Sequence, residues 1–204
     1  MNKKKTIIAA IVLLLVLLVG GAIAYFTDTD SAENTFTIGN VDIEVLEPAW
    51  VQTLNGGTKL ENMMPGDTAN KDPKVHNKST TNPAYVFLKV EVPCTTANAK
   101  DSVVKEIFTY TLVENNGWNL MTDGTCTNGK VTRVYNYGTA SAMTELAADG
   151  TTPALFASVK LNDQIDGDED GISGDLKINV TGYGIQSTGL DVTAPTQIFA
   201  KFSA

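Results

Sequence analysis

Apolar and polar residues alternate with a period of two along much of the chain, and this alternation constrains the fold more than any other feature. It is clearest in the run AYVFLKVEV at residues 84–92, whose apolar face consists of Val86, Leu88, Val90 and Val92. Comparable short runs occur at residues 36–45, 107–113, 130–137, 155–161 and 176–185. Each such strand buries one face, so seven or eight of them predict an all-β fold, a jelly-roll-like antiparallel β-sandwich.

Turn and helix signals complete this prediction. The dipeptide Asn116-Gly117 is typical of the two-residue turn of a β-hairpin, which predicts that the strands on either side of it pair with each other. One short helix is expected at residues 141–148, and a second near the C-terminus, where Thr193 would cap it and Pro195 would start it. No internal repeat or linker divides the rest, so residues 41–204 are expected to form one domain.

The first 24 residues have the three parts of a secretory signal peptide. Lysines at residues 3–5 precede an apolar run at residues 7–19, and Ala22 and Ala24 supply the small residues that signal peptidase requires. Cleavage is therefore expected after Ala24, so that the mature chain begins at Tyr25. A retained membrane anchor is the alternative, but spanning a bilayer takes about 20 apolar residues, and this run reaches that length only by including two glycines.

The acidic balance of the mature chain excludes some classes of partner. Removing residues 1–24 leaves 12 of the 15 basic residues and all 23 acidic ones, a net charge of −11. Such a surface repels nucleic acid and anionic membranes, and no basic patch with interleaved aromatic residues is present. Contact with a membrane is therefore expected only through an uncleaved signal segment.

The two cysteines, Cys94 and Cys126, are expected to form a disulfide, because an exported protein meets oxidising conditions. Both stand in polar, threonine-rich surroundings, PCTTAN and GTCTNG, rather than in apolar runs. Two free buried thiols are the alternative.

The sequence offers little catalytic chemistry. His76 is the only histidine, so an HExxH zinc site is absent, and its polar surroundings predict a solvated loop. One metal motif remains, since Asp166, Asp168 and Asp170 followed by glycine match the first half of a calcium-binding EF-hand loop. Lys177 stands where the bidentate glutamate of that loop belongs, so an acidic solvated loop is the alternative. No cofactor other than calcium is expected.

Four aromatic residues allow another role for the same fold. Trp50, Trp118, Tyr135 and Tyr137 would stack on sugars if they shared an exposed face, as in carbohydrate-binding jelly rolls. Packing in the core or around turns is the alternative.

Several segments together resemble one family of exported proteins. They are AYFTDTDSAENTFTIGNVDIEV at 24–45, MMPGDTANKDPKVHNKSTTNPAYVFLKV at 63–90, TPALFASVKL at 152–161 and INVTGYGIQSTGL at 178–190. Their order resembles the TasA/camelysin family of Gram-positive surface and biofilm-matrix proteins, which are processed by a dedicated signal peptidase, SipW. The resemblance implies a jelly-roll fold and a secreted structural subunit that forms matrix fibres or decorates the cell surface. It also implies an alternative, because camelysin is described as a metallopeptidase, although this chain lacks a zinc motif.

The mature N-terminal segment, residues 25–40, is suited to joining subunits. Tyr25 and Phe26 lie at its tip, and Phe36 and Ile38 would share one face of an extended strand. Such a strand could complete the sheet of a neighbouring copy and insert its apolar side chains there, giving an open homopolymer. Other matrix proteins or polysaccharide are further candidate partners. The alternative is that the same residues form the first strand of their own domain and the protein is a monomer.

Overall fold

The computed structural model describes residues 27–31, 34–37, 41–54, 63–95, 103–165 and 176–202 of the chain. These residues form eleven strands, arranged in antiparallel sheets, and two short helices. Among them, no helix is both long and apolar enough to cross a membrane.

The larger layer is a six-stranded sheet. Its strands are β1 (Thr27–Ser31), β2 (Asn34–Thr37), β6 (Ala84–Pro93), β8 (Trp118–Asp123), β9 (Lys130–Tyr137) and β11 (Asn179–Gln186). Their spatial order is β2–β1–β11–β6–β9–β8, so β2 and β8 are its two edges. The N-terminal strands therefore lie next to the last strand of the chain.

The second layer consists of two smaller sheets. A pair is formed by β3 (Ile43–Leu46) and β5 (Lys74–Asn77), and a three-stranded sheet by β4 (Thr68–Asn70), β10 (Phe156–Leu161) and β7 (Phe108–Leu112) in the order β4–β10–β7. Backbone hydrogen bonds from Thr152 to Val75 and from Leu155 to Pro73 link the two sheets. Together they act as one layer facing the six-stranded sheet.

The main hydrophobic core fills the space between the two layers. The four residues predicted for one face of β6, Val86, Leu88, Val90 and Val92, are fully buried in it. They pack with side chains of the opposite layer, among them Ile43 of β3 and Phe156 of β10. The predicted all-β sandwich is thus confirmed, and period-two alternation located its central strand correctly.

The turn at Asn116-Gly117 exists, but the predicted hairpin is wrong. The strand before the turn, β7, pairs with β10, whereas the strand after it, β8, pairs with β9 in the other layer. The turn is therefore a corner at which the chain changes sheet. The side chain of Asn116 stabilises this corner, since its Nδ2 donates to the carbonyl oxygens of Ala154 and Leu155 and its Oδ1 accepts from the backbone N–H of Trp118.

The helix predicted at residues 141–148 is also wrong. Leu146 instead exchanges two backbone hydrogen bonds with Ala84 at the start of β6, at 2.8 and 2.9 Å. Leu146 joins the core between the layers, while Met143 packs on the opposite face of the large sheet. Two apolar residues three positions apart thus reach opposite faces, which one side of a helix could not achieve.

Two short helices are present elsewhere. Helix α1 (Pro48–Leu54) was not predicted, although Pro48 at its first position is a usual start signal. The backbone N–H of Ala49 donates to Asp72 Oδ1 at 2.7 Å and so closes its first turn. Helix α2 (Pro195–Ala200) begins at the predicted proline, but Ala194 rather than Thr193 is its N-cap residue, and no side chain caps it.

Cys94 and Cys126 are joined by a disulfide, with 6.1 Å between their Cα atoms. The bond connects the residue that follows β6 to the loop between β8 and β9. It therefore ties together the ends of strands that lie near the same edge of the large sheet.

Candidate functional site

The N-terminal residues form a hairpin on the large sheet. Strand β1 pairs with β11, with Thr27 opposite Ile185, Thr29 opposite Tyr183 and Ser31 opposite Thr181. Strand β2 follows on the outside and places Phe36 opposite Thr29. This pairing occurs within one chain, as in the alternative considered above for this segment. Of the other residues assigned to the donor strand, Tyr25, Phe26 and Ile38 lie outside the described residues.

The partner strand β11 is unusual because glycines alternate along its inner face. Asp28 and Asp30 of β1 stand opposite Gly184 and Gly182 in the register. A Cβ atom at Gly184 would lie 2.7 Å from Ile43 Cγ2 and 3.2 Å from Val41 Cγ1, so β3 crosses β11 where only glycine fits. Sequence reasoning missed this contact, although a glycine inside a strand often marks close backbone approach.

The outer face of the same strands carries a cluster of aromatic rings. Phe87 of β6 and Tyr183 of β11 both contact Phe199 of α2 and Phe202 just beyond it, with ring centroids 5.2–5.8 Å apart. Phe199 and Phe202 also contact each other at 5.9 Å. We call these four residues the aromatic cluster. Phe87 is fully buried, whereas the other three rings are partly exposed.

A cleft of about 520 Å³ opens beside the edge strand β7. Its polar groups already bind one another: Arg133 donates to Glu106 at 2.5 and 2.8 Å and to Asp123 at 2.7 Å. These hydrogen bonds, chiefly those to Glu106, raise the pKa of Arg133.

Two tyrosines lie on the wall of this cleft. The hydroxyl groups of Tyr110 and Tyr135 are 2.9 Å apart, and burial raises the pKa of both. The ring of Tyr110 stacks on Phe156, with 4.4 Å between ring centroids, and the guanidinium carbon of Arg133 lies 5.9 Å from its centroid.

His76 lies in β5 rather than in the predicted loop. Its Nδ1 is 3.0 Å from Thr151 Oγ1 and 3.2 Å from the carbonyl oxygen of Gly150, and its Nε2 is 3.6 Å from Asp149 Oδ1. A peptidase zinc site needs three protein ligands. Within the described residues, no three His, Cys, Asp or Glu side chains are grouped to hold a metal ion, so these residues do not fit such a site.

Two further predicted sites lie outside the described residues. They are the calcium motif of Asp166, Asp168 and Asp170, and the cleavage site at Ala22, Ala24 and Tyr25.

The sugar-stacking surface is contradicted for two of its four aromatic residues. Trp118 and Tyr135 are only 7% and 3% exposed. Trp118 packs edge-on against Tyr137 and donates its Nε1 hydrogen to the carbonyl oxygen of Pro153. Trp50 lies under the ammonium group of Lys71, 5.0 Å from the ring centroid. Trp118 and Tyr137 therefore pack against each other, and Trp50 packs against Lys71.

The first 125 residues of the chain match the model of one protein family, described as camelysin metallo-endopeptidase. The match ends after β8 and thus includes Cys94 but not Cys126, β11 or the aromatic rings of α2. No curated protein and no solved structure has significant similarity to the chain. Since the match covers more than half of the sequence, the chain belongs to the camelysin family, whose members are cell-surface or secreted proteins.

Proposed function

We propose that the protein is a structural subunit of the cell surface or biofilm matrix, which polymerises by exchanging its N-terminal hairpin between copies. Cleavage after Ala24 by a SipW-type signal peptidase would free the hairpin. The observation that carries the proposal is the pairing of β1 with β11, because this contact can form within one chain or between two.

The composition of β1 favours exchange. Its five residues, TDTDS, include no apolar side chain, and its partner has glycine at positions 182 and 184. Strands that are polar on both faces or rich in glycine specify their register weakly and are prone to domain swapping. Backbone hydrogen bonds lost within the chain would be replaced by the same bonds in the neighbour, so the free-energy difference between the two states is small.

The chain offers a definite boundary between the exchanged hairpin and the fixed body. Val41 and Ile43 are fully buried in the core, and the backbone N–H of Lys78 donates to the carbonyl oxygen of Asp42 at 2.7 Å. The exchanged hairpin and the fixed body therefore meet between Thr37 and Val41. Four residue steps span at most about 14 Å, so the accepting β11 must belong to a directly adjacent subunit.

A head-to-tail exchange of this kind leaves each subunit with one donated hairpin and one accepting edge, so the assembly stays open and grows into a fibre. The partner is a second copy of this chain. Other matrix proteins or polysaccharide could bind along such a fibre.

Cysteine pairs can distinguish pairing within a chain from pairing between chains. Ser31 stands opposite Thr181, so we would prepare two full-length mature proteins, one with Ser31→Cys and one with Thr181→Cys. Mixing them under assembly conditions is expected to yield disulfide-linked heterodimers on non-reducing gels, together with filaments by negative-stain electron microscopy. Parallel samples with calcium and with EDTA would test a calcium requirement.

The matched control replaces Thr181→Cys with Thr188→Cys, an exposed residue beyond the end of β11 and away from Ser31 in the register. It should give no heterodimer. Filaments that form without any Ser31–Thr181 crosslink, or that persist when residues 25–38 are deleted, would overturn the proposal.

The matching family is described as a metallo-endopeptidase, so peptidase activity is a second candidate function. Its direct test is chelator-sensitive cleavage of casein by the purified mature protein. Cleavage that disappears with His76→Ala would support an enzyme, whereas cleavage unaffected by that change would point to a contaminating protease.

A further inference from the structure

We propose that Asn128 is a site of spontaneous covalent modification, at which the side-chain amide is lost through a succinimide and the backbone rearranges to isoaspartate. Two Asn-Gly dipeptides lie within the described residues, at 116–117 and 128–129, and a third, at 55–56, lies outside them. The fold exposes the dipeptide at 128–129 to this reaction and protects the one at 116–117. The inference does not depend on strand exchange.

The reaction requires only water. The backbone nitrogen of the glycine loses its proton to solvent and attacks Cγ of the asparagine. The new N–Cγ bond closes a five-membered ring, and the Cγ–Nδ2 bond breaks as ammonia leaves. Water then opens the ring at Cγ, which gives aspartate, or at the backbone carbonyl carbon, which gives isoaspartate. Glycine favours ring closure because it has no Cβ atom to obstruct the attacking nitrogen.

Asn128 and Gly129 are the two central residues of a tight turn just before β9. Their φ angles are 53° and 75°, and both are positive, as a type I′ turn requires. The backbone N–H of Thr127 donates to Lys130 at 2.8 Å, and the N–H of Lys130 donates to Thr127 at 3.1 Å. The turn is thus closed by the residues on either side of the dipeptide, and its bonds leave the reacting groups out.

Both reacting groups are accessible at this turn. The side chain of Asn128 is exposed and forms no hydrogen bond with another described residue. The backbone N–H of Gly129 likewise donates to none of them. A Cβ atom placed on Gly129 would come no closer than 4.0 Å to a neighbouring atom, so the space around the dipeptide is open. Ring closure here therefore breaks no hydrogen bond of these two groups.

The dipeptide at 116–117 is held by the fold. Asn116 is only 6% exposed, and its side chain forms three hydrogen bonds with backbone groups, each 3.0 Å long. Gly117 is closely packed, since a Cβ atom on it would stand 2.8 Å from Cε2 of Tyr137. Turning the Asn116 side chain toward the nitrogen of Gly117 breaks all three hydrogen bonds. The reaction at this position therefore has to wait for local opening of the structure.

Isoaspartate at position 128 would alter the turn and its contact with β6. It adds one methylene group to the main chain and a carboxylate two residues before Lys130. The carbonyl oxygen of Gly129 accepts a hydrogen bond from the backbone N–H of Cys94 at 2.9 Å, so a longer main chain shifts this contact. The disulfide from Cys94 to Cys126 still joins the loop to the end of β6. The turn is therefore expected to loosen while the sandwich stays folded.

The test follows each dipeptide separately in the mature protein with its disulfide intact. The protein would be kept in mildly alkaline buffer for several days, digested at low pH and mapped by mass spectrometry. Asn128 should be deamidated at least about 30-fold faster than Asn116, because the hydrogen bonds of Asn116 must open first. Reduced protein unfolded in urea is the control, and there the two rates should become similar.

Hydroxylamine gives a second measurement, because it cleaves the chain at a succinimide. Both cysteines precede Asn128, so cleavage there releases residues 129–204 on a non-reducing gel. Cleavage after Asn116 would instead separate Cys94 from Cys126, and its fragments would stay joined until the disulfide is reduced. The folded protein should release the fragment without reductant. Asn128→Gln should not, because its longer side chain cannot close the same five-membered ring.

Three outcomes would contradict the inference. Equal rates at Asn116 and Asn128 in the folded protein would show that the fold does not distinguish the two dipeptides. Reaction of Asn128 only after unfolding would show that the turn protects it. Trypsin should cut the modified protein after Lys130 faster than the parent protein, and equal cutting rates would show that the turn has not loosened.

Discussion

Gly184 of β11 lies so close to Ile43 of β3 that a Cβ atom on the glycine would stand 2.7 Å from Ile43 Cγ2. The two layers of the sandwich meet here at the strand that also pairs with the N-terminal hairpin. Strand β11 is thus held from its inner face by the core, while one of its edges pairs with β1 and its outer face contacts α2.

Gly184→Ala is expected to destabilise the protein by about 1–3 kcal/mol, because an added methyl group overpacks a fully buried contact. Urea unfolding of the mature protein measures this cost. In an Ile43→Ala background the same change should cost much less, since the clashing methyl group is gone. Equal costs in the two backgrounds would show that the strain arises elsewhere.

Stability should fall as the pH rises above about 10, because of Tyr110 and Tyr135. Burial raises the pKa of both hydroxyls in the folded state, while an unfolded tyrosine ionises near pH 10. Their stabilising contribution is therefore complete below pH 10 and is lost as the pH climbs toward the folded values. A Tyr110→Phe, Tyr135→Phe double variant should show a shallower decline in unfolding free energy, and identical slopes would contradict the assignment.

Loss of the disulfide should destabilise the protein by about 3–4 kcal/mol in the chain-entropy model, since Cys94 and Cys126 are separated by 32 residues. The double variant Cys94→Ser, Cys126→Ser would be compared with the oxidised protein by urea unfolding. Reducing agent should destabilise the parent protein by a similar amount and leave the double variant unchanged. A reductant effect on the variant would indicate a different cause.

Asn116→Ala should cost about 2–3 kcal/mol, because it removes three hydrogen bonds, two to the carbonyl oxygens of Ala154 and Leu155 and one from the backbone N–H of Trp118. Glu114→Ala, an exposed change in the same turn, is the control and should stay within about 0.5 kcal/mol of the parent protein. Thermal unfolding followed by circular dichroism distinguishes the two. Similar midpoints for both variants would mean that the corner does not depend on this side chain.

The amino-acid sequence alone determined the sandwich class and several of its strands. The alternation of Val86, Leu88, Val90 and Val92 located β6, and Pro195 located the start of α2, because these signals act between residues close in the chain. The family match rests likewise on the order of residues.

Tertiary structure decided which elements meet. The turn at Asn116 looked like a hairpin, yet its two strands joined different layers, because pairing depends on which sheet can bury each strand. Residues 141–148 have helix-forming composition, but the backbone of Ala84 at the start of β6 offered Leu146 two hydrogen bonds and a place in the core.

Some residues of the candidate site could be recognised from the sequence, and others only from the folded structure. Phe36 could be singled out from its own alternation pattern, whereas Tyr183, Phe199 and Phe202 could not, because no local pattern connects a strand to a helix that folds back over it. Local periodicity shows which side chains of a segment share a face. Which distant segment covers a face depends on packing across the whole chain, and only the folded structure decides that.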